Sequence, residues 1–174
     1  MQKSQQHMYW PERAIRRFLA TRPGVWFGQK VLARLDRPLL YLTRGRISMS
    51  PGQPVLLLEN IGARSGKRRM TPLLYFMDSD SVIIVASNGG RNCHPAWYYN
   101  LRAHPQAVVY LGGRVATYVA REAQSEERAA LWRKAVDYFE GFTLYEQRAA
   151  RAIPMFVLTP LEDARSNFTE SPNM

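Results

Sequence analysis

Six short apolar runs, rich in β-branched and aromatic residues, alternate with polar or glycine-containing stretches in the middle and at the end of the chain. Runs of this length and composition are typical of strands with a buried face. They are residues 55–58, 73–76, 82–85, 107–111, 114–120 and 155–158. Gly112 and Gly113 separate the fourth and fifth runs, and such a two-residue connection predicts a β-hairpin. The pattern therefore predicts a sheet of short strands.

Two further stretches are predicted to be helical. Apolar residues recur at helical spacing over residues 31–42, where Pro38 is expected to kink or end the helix. Residues 94–101 predict a short helix with Pro95 at its first position, because proline lacks the N–H that a helix start leaves unpaired. Both helices border the predicted strands.

A third helix is expected to begin at Ser125, whose side chain would cap it, with acidic residues in the first turn. Apolar residues at three-to-four spacing then predict the side that packs on the sheet. This buried stripe is expected to consist of Trp132, Val136 and Phe139. Gly141 is expected to end the helix.

Composition limits the class of protein. The 174 residues, 46% of them hydrophobic, are enough for one domain with a substantial core. The single cysteine, Cys93, excludes an intramolecular disulfide, and no Cys/His cluster has metal-ligand spacing, so a cytoplasmic protein without a structural metal is expected. No apolar run reaches the about 20 residues that cross a bilayer, and the N-terminus lacks the order of a secretion signal. The net charge of +10 favours anionic partners.

Much of this charge lies in residues 1–46, which contain ten lysines or arginines and only two acidic residues. They predict a basic amphipathic helical arm. Such an arm can lie on an anionic membrane surface, as in a peripheral membrane protein, or pack its apolar side on the rest of the chain. Residues 45–54, rich in Gly, Pro and Ser, predict a linker into a domain of residues 47–161, and residues 162–174 predict a polar tail.

The stretch between the first two runs combines glycine with positive charge. Gly62, Ser65 and Gly66 permit a tight turn. The cationic side chains on it are Arg64, Lys67, Arg68 and Arg69. Guanidinium and ammonium groups donate hydrogen bonds to phosphate and carboxylate oxygens, so the turn is a candidate site for an anionic ligand. The alternative is a solvated basic hairpin tip.

A second candidate site follows the third run. Residues 86–90 (ASNGG) predict a flexible turn, and the helix that starts near His94 offers free backbone N–H groups. Strand, glycine turn and helix start together indicate a place where a flat ligand with polar edges could rest. Trp97 either contacts such a ligand or packs in the core.

Four segments, taken in order, resemble the deazaflavin-dependent nitroreductase family, whose members are also described as F420H2-dependent quinone reductases. The segments are Gly62-Ala63-Arg64-Ser65-Gly66 with Arg69 and Thr71-Pro72-Leu73, then residues 86–90, residues 94–101 and Ile153-Pro154. The resemblance covers about residues 55–160. It implies an α+β fold, a single-domain antiparallel split β-barrel with flanking helices, preceded by the N-terminal helical arm. It also implies an oxidoreductase that uses coenzyme F420.

The resemblance implies two groups of coenzyme contacts. The anionic phosphate and oligoglutamate tail and its linker would be lined by Arg64, Ser65, Gly66, Arg69, Thr71 and Pro72, with Lys67 and Arg68 nearby. The deazaflavin ring and ribityl chain would be held by Ala86, Ser87, Asn88, Gly89, Gly90, Trp97 and Asn100. Two positions depart from the family, because Ala63 stands where an arginine is common and Asn88 where a lysine is frequent. FMN therefore stays open as an alternative cofactor.

In the family, aromatic residues of the C-terminal helical region cover the acceptor. The matching positions here are Phe139, Phe142 and Tyr145, and Tyr145 is the candidate proton donor, with Tyr138 as a second candidate. The phenylalanines favour a quinone or lipid-like acceptor, to which reduced F420 would transfer a hydride. The alternative is a non-catalytic anion-binding module. No nucleic-acid partner is expected, because the basic turn lacks the interleaved exposed aromatics of stacking platforms.

Overall fold

The structure is a computed structural model that describes residues 33–50 and 52–161. The first part of the predicted arm, residues 1–32, and the predicted polar tail, residues 162–174, lie outside the described residues. Among the described residues, none of the helices has the length and apolar character needed to cross a membrane.

Six antiparallel strands form a closed barrel. The strands are β1 (Val55–Ile61), β2 (Arg68–Asp78), β3 (Ser81–Val85), β4 (Gln106–Leu111), β5 (Arg114–Glu122) and β6 (Met155–Pro160). They follow the order β1-β2-β3-β6-β5-β4, and β4 pairs with β1 to close the barrel. All six predicted runs lie inside these strands, so the predicted α+β barrel is confirmed.

The second strand begins earlier than the sequence predicts. Arg68 and Arg69 were expected in a turn, but they pair with Ile61 and Asn60 of β1. Their side chains are exposed, so charged residues extend the strand without entering a core. The true turn is therefore shorter, and we call residues 62–67 the cationic loop.

Within residues 33–50 and 52–161, four α-helices and one short 3-10 turn accompany the barrel. The helices are α1 (Ala33–Leu42), α2 (Ala96–Ala103), α3 (Ser125–Tyr138) and α4 (Gly141–Arg148), and the 3-10 turn is Asn88–Gly90. Pro95 is the N-cap residue of α2, one position before the predicted one. The helical flanks of the barrel are thus as predicted, although several boundaries differ.

Two of the predicted helix boundaries are wrong, and of the two outcomes expected at Pro38 the end of the helix is not seen, while the kink stays a prediction. Pro38 lies inside α1, which continues to Leu42 because Leu40 on its inner side is fully buried and holds the segment on the barrel. Gln124, not Ser125, is the N-cap of α3, and it makes no side-chain cap bond. Gly141 begins α4 and does not end α3.

Two hydrophobic cores lie on opposite sides of the sheet. Alternate residues of the strands, such as Leu58, Ile84 and Leu158, form the core inside the barrel, where α2 also packs. The intervening residues of β3 and β6 face outwards and are covered by α3 and α4. The fully buried residues of α3 are Leu131 and Ala135, whereas the predicted Trp132 and Val136 are only partly buried.

The segment after α1 is an irregular connection to β1, as the prediction of a linker requires, but it is fixed on the rest of the chain by hydrogen bonds. The backbone carbonyls of Arg44 and Gly45 accept hydrogen bonds of 2.8 and 3.2 Å from the β4–β5 hairpin turn. Buried Asp36 accepts bonds from the Ser48 hydroxyl and the Met49 N–H. A buried carboxylate needs such partners, which explains why this glycine-rich and serine-rich stretch takes a fixed path.

Candidate functional site

The cationic loop is held by its own backbone and presents its side chains to solvent. The N–H groups of Gly62 and Gly66 bond to the carbonyls of Lys67 and Gly62 at 2.9 and 2.8 Å. Arg69 Nη2 donates to Ser65 Oγ at 3.4 Å. Arg64 and Lys67 are exposed, and neither makes a salt bridge with a described acidic residue. Their charges are available to an anionic ligand.

Arg68 has a different environment. Its guanidinium lies 3.2 Å from the carboxylate of Glu59, which is only 6% exposed. The Tyr110 hydroxyl donates to the same carboxylate at 2.9 Å. Burial, with the bond to Glu59, raises the pKa of Tyr110 to about 12. Arg68 therefore serves at least partly to neutralise a buried carboxylate, and its predicted contact with the coenzyme stays a prediction.

Helix α2 is hydrogen-bonded to the cationic loop through the side chain of Asn100. Asn100 Oδ1 accepts a 3.0 Å bond from the Ala63 N–H, and its Nδ2 donates to Asn60 at 3.1 Å. Trp97 is 5% exposed and makes an edge contact with Phe156 in the barrel core. In the structure, Asn100 positions the loop and Trp97 is a core residue. Ligand contacts by either side chain stay predictions.

The predicted ring-binding turn extends from the end of β3 to the start of α2, and we call residues 86–93 the β3–α2 turn. Asn88, Gly89 and Gly90 all have positive φ, at 50°, 65° and 77°. The Asn88 side chain donates to the Cys93 carbonyl at 2.9 Å, which closes the turn across its base. The residue that replaces the family's frequent lysine therefore has a structural role.

Residues 149–154, between α4 and β6, form hydrogen bonds with the β3–α2 turn. The Pro154 carbonyl accepts a 2.8 Å bond from the Ala86 N–H, and the Ala150 N–H donates to Asn92 Oδ1 at 2.9 Å. The Arg151 guanidinium donates hydrogen bonds of 3.1–3.2 Å to the backbone carbonyls of Ala86, Ser87, Arg91 and Cys93. Sequence reasoning missed Arg151, because its proximity to residue 86 depends on the pairing of β3 with β6.

Helix α4 packs directly on the β3–α2 turn. A Cβ on Gly90 would lie 3.0 Å from backbone atoms of Tyr145 and from the side chain of Arg148. Glycine at this position allows both the positive φ and the close approach. The predicted ring-binding and acceptor-covering segments are thus in contact.

The predicted acceptor residues form one aromatic cluster. Ring centroids of Phe139, Phe142 and Tyr145 lie 5.3–6.1 Å apart, and all three residues are buried. Burial raises the pKa of Tyr145 to about 12. Tyr138 is 55% exposed and stacks on Phe76 at 5.2 Å. The structure brings the three predicted residues together, while their contact with an acceptor stays a prediction.

Helix α2 connects the two parts of the candidate site. Asn100, in its second turn, bonds to the cationic loop, and its N-terminal end follows two residues after the β3–α2 turn. The arrangement therefore offers positive charge at one end and a rigid glycine turn beside a neutral tyrosine at the other. It can bind an extended ligand with an anionic part and a flat part.

Known proteins share this sequence and fold. A protein of Mycobacterium tuberculosis (strain ATCC 25618 / H37Rv) named F420H(2)-dependent quinone reductase is 37% identical over 133 residues, which are 74% of this chain and 89% of that protein. The solved structure of an F420-H2 dependent reductase (FDR-A) is 37% identical, with a TM-score of 0.56 over 60% of this chain and 93% of that one.

A second solved structure, described as a domain-swapped dimer, is 31% identical with a TM-score of 0.58, over 78% of this chain and 98% of that one. The sequence profile of the F420H(2)-dependent quinone reductase family matches residues 41–160, which include all six strands and most of the described residues. The chain therefore belongs to the F420H(2)-dependent quinone reductase family.

Proposed function

We propose that the protein is an F420H2-dependent oxidoreductase that transfers a hydride to a quinone or another apolar conjugated acceptor. Family membership supports the reaction class. The single observation in the structure that supports it most is the pair Arg64 and Lys67, exposed on a rigid loop without a salt-bridge partner among the described residues. Two such cations suit a coenzyme that carries a phosphate and several carboxylates.

The described residues fit this coenzyme in two places. Arg64, Lys67 and Arg69 would hold its anionic tail, and the β3–α2 turn would hold its ring. Ala63 lacks the charge that is common in the family, but its backbone N–H is bonded to Asn100, so the loop keeps a defined shape. The loss of one cationic contact therefore weakens the tail site without removing it.

When bound, the reduced deazaflavin supplies the hydride, and the protein's own residues orient the reactants and exclude water. Reduction of a quinone also needs protons. Tyr145 is the candidate donor because it is the tyrosine of the aromatic cluster. Its pKa of about 12 makes it a weak acid, so it would donate only as negative charge develops on the acceptor. The apolar rings of Phe139 and Phe142 beside it favour a hydrophobic acceptor.

A lipid-soluble quinone requires access to a membrane surface, and we propose that α1 and the segment after it provide the contact. Leu35, Leu42, Ile47 and Met49 are each 45–78% exposed. The exposed cations of the same stretch are Arg34, Arg37, Arg44 and Arg46. Exposed apolar and basic side chains on one segment favour binding to anionic headgroups. We call these eight residues the α1 patch.

The proposed activity is tested by mixing the purified protein with reduced F420 and a menaquinone analogue without oxygen, and following reoxidation of F420 optically. Heat-inactivated protein is the control for the spontaneous reaction. The expected result is protein-dependent, saturable reoxidation, with no reoxidation above the control when reduced FMN replaces F420. Reoxidation at the rate of the control with every acceptor would contradict the proposed function.

A further inference from the structure

We propose that Arg151 is a positioning residue that aims the backbone N–H groups of Ser87 and Asn88 at the coenzyme ring. The inference rests on the proposed function and adds to it a residue outside the matched motifs. Its basis is the set of bonds between the guanidinium and the β3–α2 turn.

The bonds tie both ends of the turn to one side chain. Nη2 reaches the carbonyls of Ala86 and Ser87 where the chain leaves β3, and also the carbonyl of Cys93, where it approaches α2. Nε reaches the carbonyl of Arg91 at 3.1 Å. The turn therefore cannot open at its base without breaking several bonds at once.

These bonds also fix the direction of the neighbouring donors. In a trans peptide unit, the C=O of one residue and the N–H of the next point in opposite directions. Because the carbonyls of Ala86 and Ser87 point at Arg151, the N–H groups of Ser87 and Asn88 point away from it. Arg151 thus determines which side of the turn presents donors.

Within the described part of the chain, the N–H groups of Ser87 and Asn88 have no hydrogen-bond acceptor. Neither donates a hydrogen bond to a described residue, although Ser87 is only 8% exposed. Buried backbone donors are nearly always paired in native proteins, so at the buried Ser87 a ligand with acceptor atoms is the expected partner, and the partly exposed Asn88 offers a second donor beside it. The polar edge of a deazaflavin ring carries such acceptors.

The charge of Arg151 strengthens these donors. No described carboxylate forms a salt bridge with Arg151, and its hydrogen bonds to described residues all go to backbone carbonyl oxygens. Burial lowers the pKa of Arg151 from its ordinary value, which is far above neutrality, so the group stays charged. A cation bonded to a carbonyl polarises the whole peptide unit, and its N–H becomes a better donor.

A lysine at position 151 cannot form all the hydrogen bonds that the guanidinium donates to the turn. The guanidinium is a planar fork with donors on three nitrogens, and here Nη2 donates to the carbonyls of Ala86, Ser87 and Cys93 while Nε donates to that of Arg91. An ammonium group has one nitrogen, which cannot occupy the Nε and Nη2 positions at the same time. Arg151→Lys should therefore retain the charge and lose part of the geometry.

Fluorescence titration of the full chain with F420, and with the F420 chromophore lacking its anionic tail, tests the inference. Arg151→Met should weaken binding of both ligands by about 10- to 100-fold, because both contain the ring. Arg151→Lys should show a smaller loss for both. The matched control is Arg133→Met, which removes an exposed arginine from α3, and it should leave both affinities unchanged.

Hydrogen exchange of the free protein provides a second measurement, which does not require coenzyme. Amides of residues 86–93 should exchange faster in Arg151→Met and Arg151→Lys than in Arg133→Met. Affinities of Arg151→Lys within twofold of the wild type would overturn the inference, even if Arg151→Met failed to fold. A wild-type protein that bound neither ligand would overturn the proposed function and the role of the donors with it.

Discussion

Arg64 and Arg68 lie four positions apart and carry the same charge, but their surroundings give them different roles. Arg64 has no salt-bridge partner among the described residues, whereas Arg68 faces the buried Glu59. We expect Arg64→Ala to weaken F420 binding by about tenfold, since a charged hydrogen bond contributes about 1.5–3 kcal/mol. Arg68→Ala should have a smaller effect. Fluorescence titration measures both.

The loss in Arg64→Ala should be confined to the anionic tail. The chromophore without the tail should bind Arg64→Ala as well as it binds the wild type. Arg133→Ala, which removes an exposed cation from α3, controls for net charge and should not change either affinity. Equal losses for the two ligands in Arg64→Ala would mean that the cationic loop does not contact the tail.

Tyr145 is expected to act in turnover and not in coenzyme binding. Tyr145→Phe keeps the ring in the aromatic cluster and removes the only proton that this side chain can give. Steady-state kinetics should show kcat reduced by about 10- to 100-fold, as for loss of a general acid, while the Kd for F420 changes less than twofold. Unchanged kcat would exclude Tyr145 as the donor and leave Tyr138 to be tested in the same way.

The raised pKa of Tyr145 also predicts how stability depends on pH. Below about pH 10 the tyrosine is neutral in the folded and the unfolded protein, so it contributes no pH dependence. Between about pH 10 and pH 12 it ionises first in the unfolded chain, and the free energy of unfolding should fall. A rise in pKa from 10 to about 12 corresponds to about 2–3 kcal/mol.

Urea unfolding of the wild type and Tyr145→Phe over this pH range measures the effect. The stability of Tyr145→Phe should fall less steeply than that of the wild type. Tyr110, whose pKa is also about 12, remains in both proteins, so it cancels in the comparison. Parallel curves would show that Tyr145 is not responsible.

At the scale of elements, the contact between α4 and the β3–α2 turn depends on Gly90. Gly90→Ala would add a Cβ that meets α4 at 3.0 Å, at a φ of 77°. Gly112→Ala, in the β4–β5 turn, introduces the same residue at a φ of 59° with no neighbour within 4 Å. We expect Gly112→Ala to cost about 1 kcal/mol and Gly90→Ala about 1–2 kcal/mol more, measured by urea unfolding. Equal losses of stability in the two variants would mean that α4 shifts to make room for the added Cβ at no further cost.

How far the sequence predicts these elements depends on how local their causes are. Every strand was predictable, because each has a contiguous apolar run that β-pairing buries. The ends of α1, α3 and α4 were not, since buried residues such as Leu40 and Leu131 determine them through packing on the barrel. Local signals at Pro38, Ser125 and Gly141 were too weak to prevail.

The candidate site likewise contains features with local causes, which the sequence predicts, and features that depend on distant contacts. The cationic loop and the glycine turn are contiguous in sequence, so their chemistry was visible there. Arg151 and Glu59 were not identified, because their importance arises from contacts across the barrel, with residues about 60 and 50 positions away. Neither residue stands out from its neighbours in the sequence.

At the scale of the whole molecule, the α1 patch predicts binding to anionic vesicles. A deletion for this test should remove only residues 1–32, because α1 buries Leu40 and Asp36 against the barrel. We expect the remaining chain to sediment with phosphatidylglycerol vesicles and not with phosphatidylcholine vesicles, and to be released by salt, which screens the arginines.

The matched variant of the shortened chain carries Leu35→Ser and Leu42→Ser. These two exposed positions are about two turns apart on the same side of α1. It should sediment clearly less with phosphatidylglycerol vesicles, although its charge is unchanged. If both shortened chains stayed in the supernatant, the α1 patch would have no role in membrane contact. If both sedimented equally, charge alone would explain the binding.

Helix α2 has eight residues, so it spans about 12 Å. Asn100, the fifth of these residues, bonds to the cationic loop, and the β3–α2 turn precedes the helix, so the position of Asn100 along α2 helps to set the distance between the two. Adding a helical turn before Asn100 would change the length of ligand that could contact both the cationic loop and the β3–α2 turn. Such a change would alter the length of ligand that fits without replacing any residue of the cationic loop or of the β3–α2 turn.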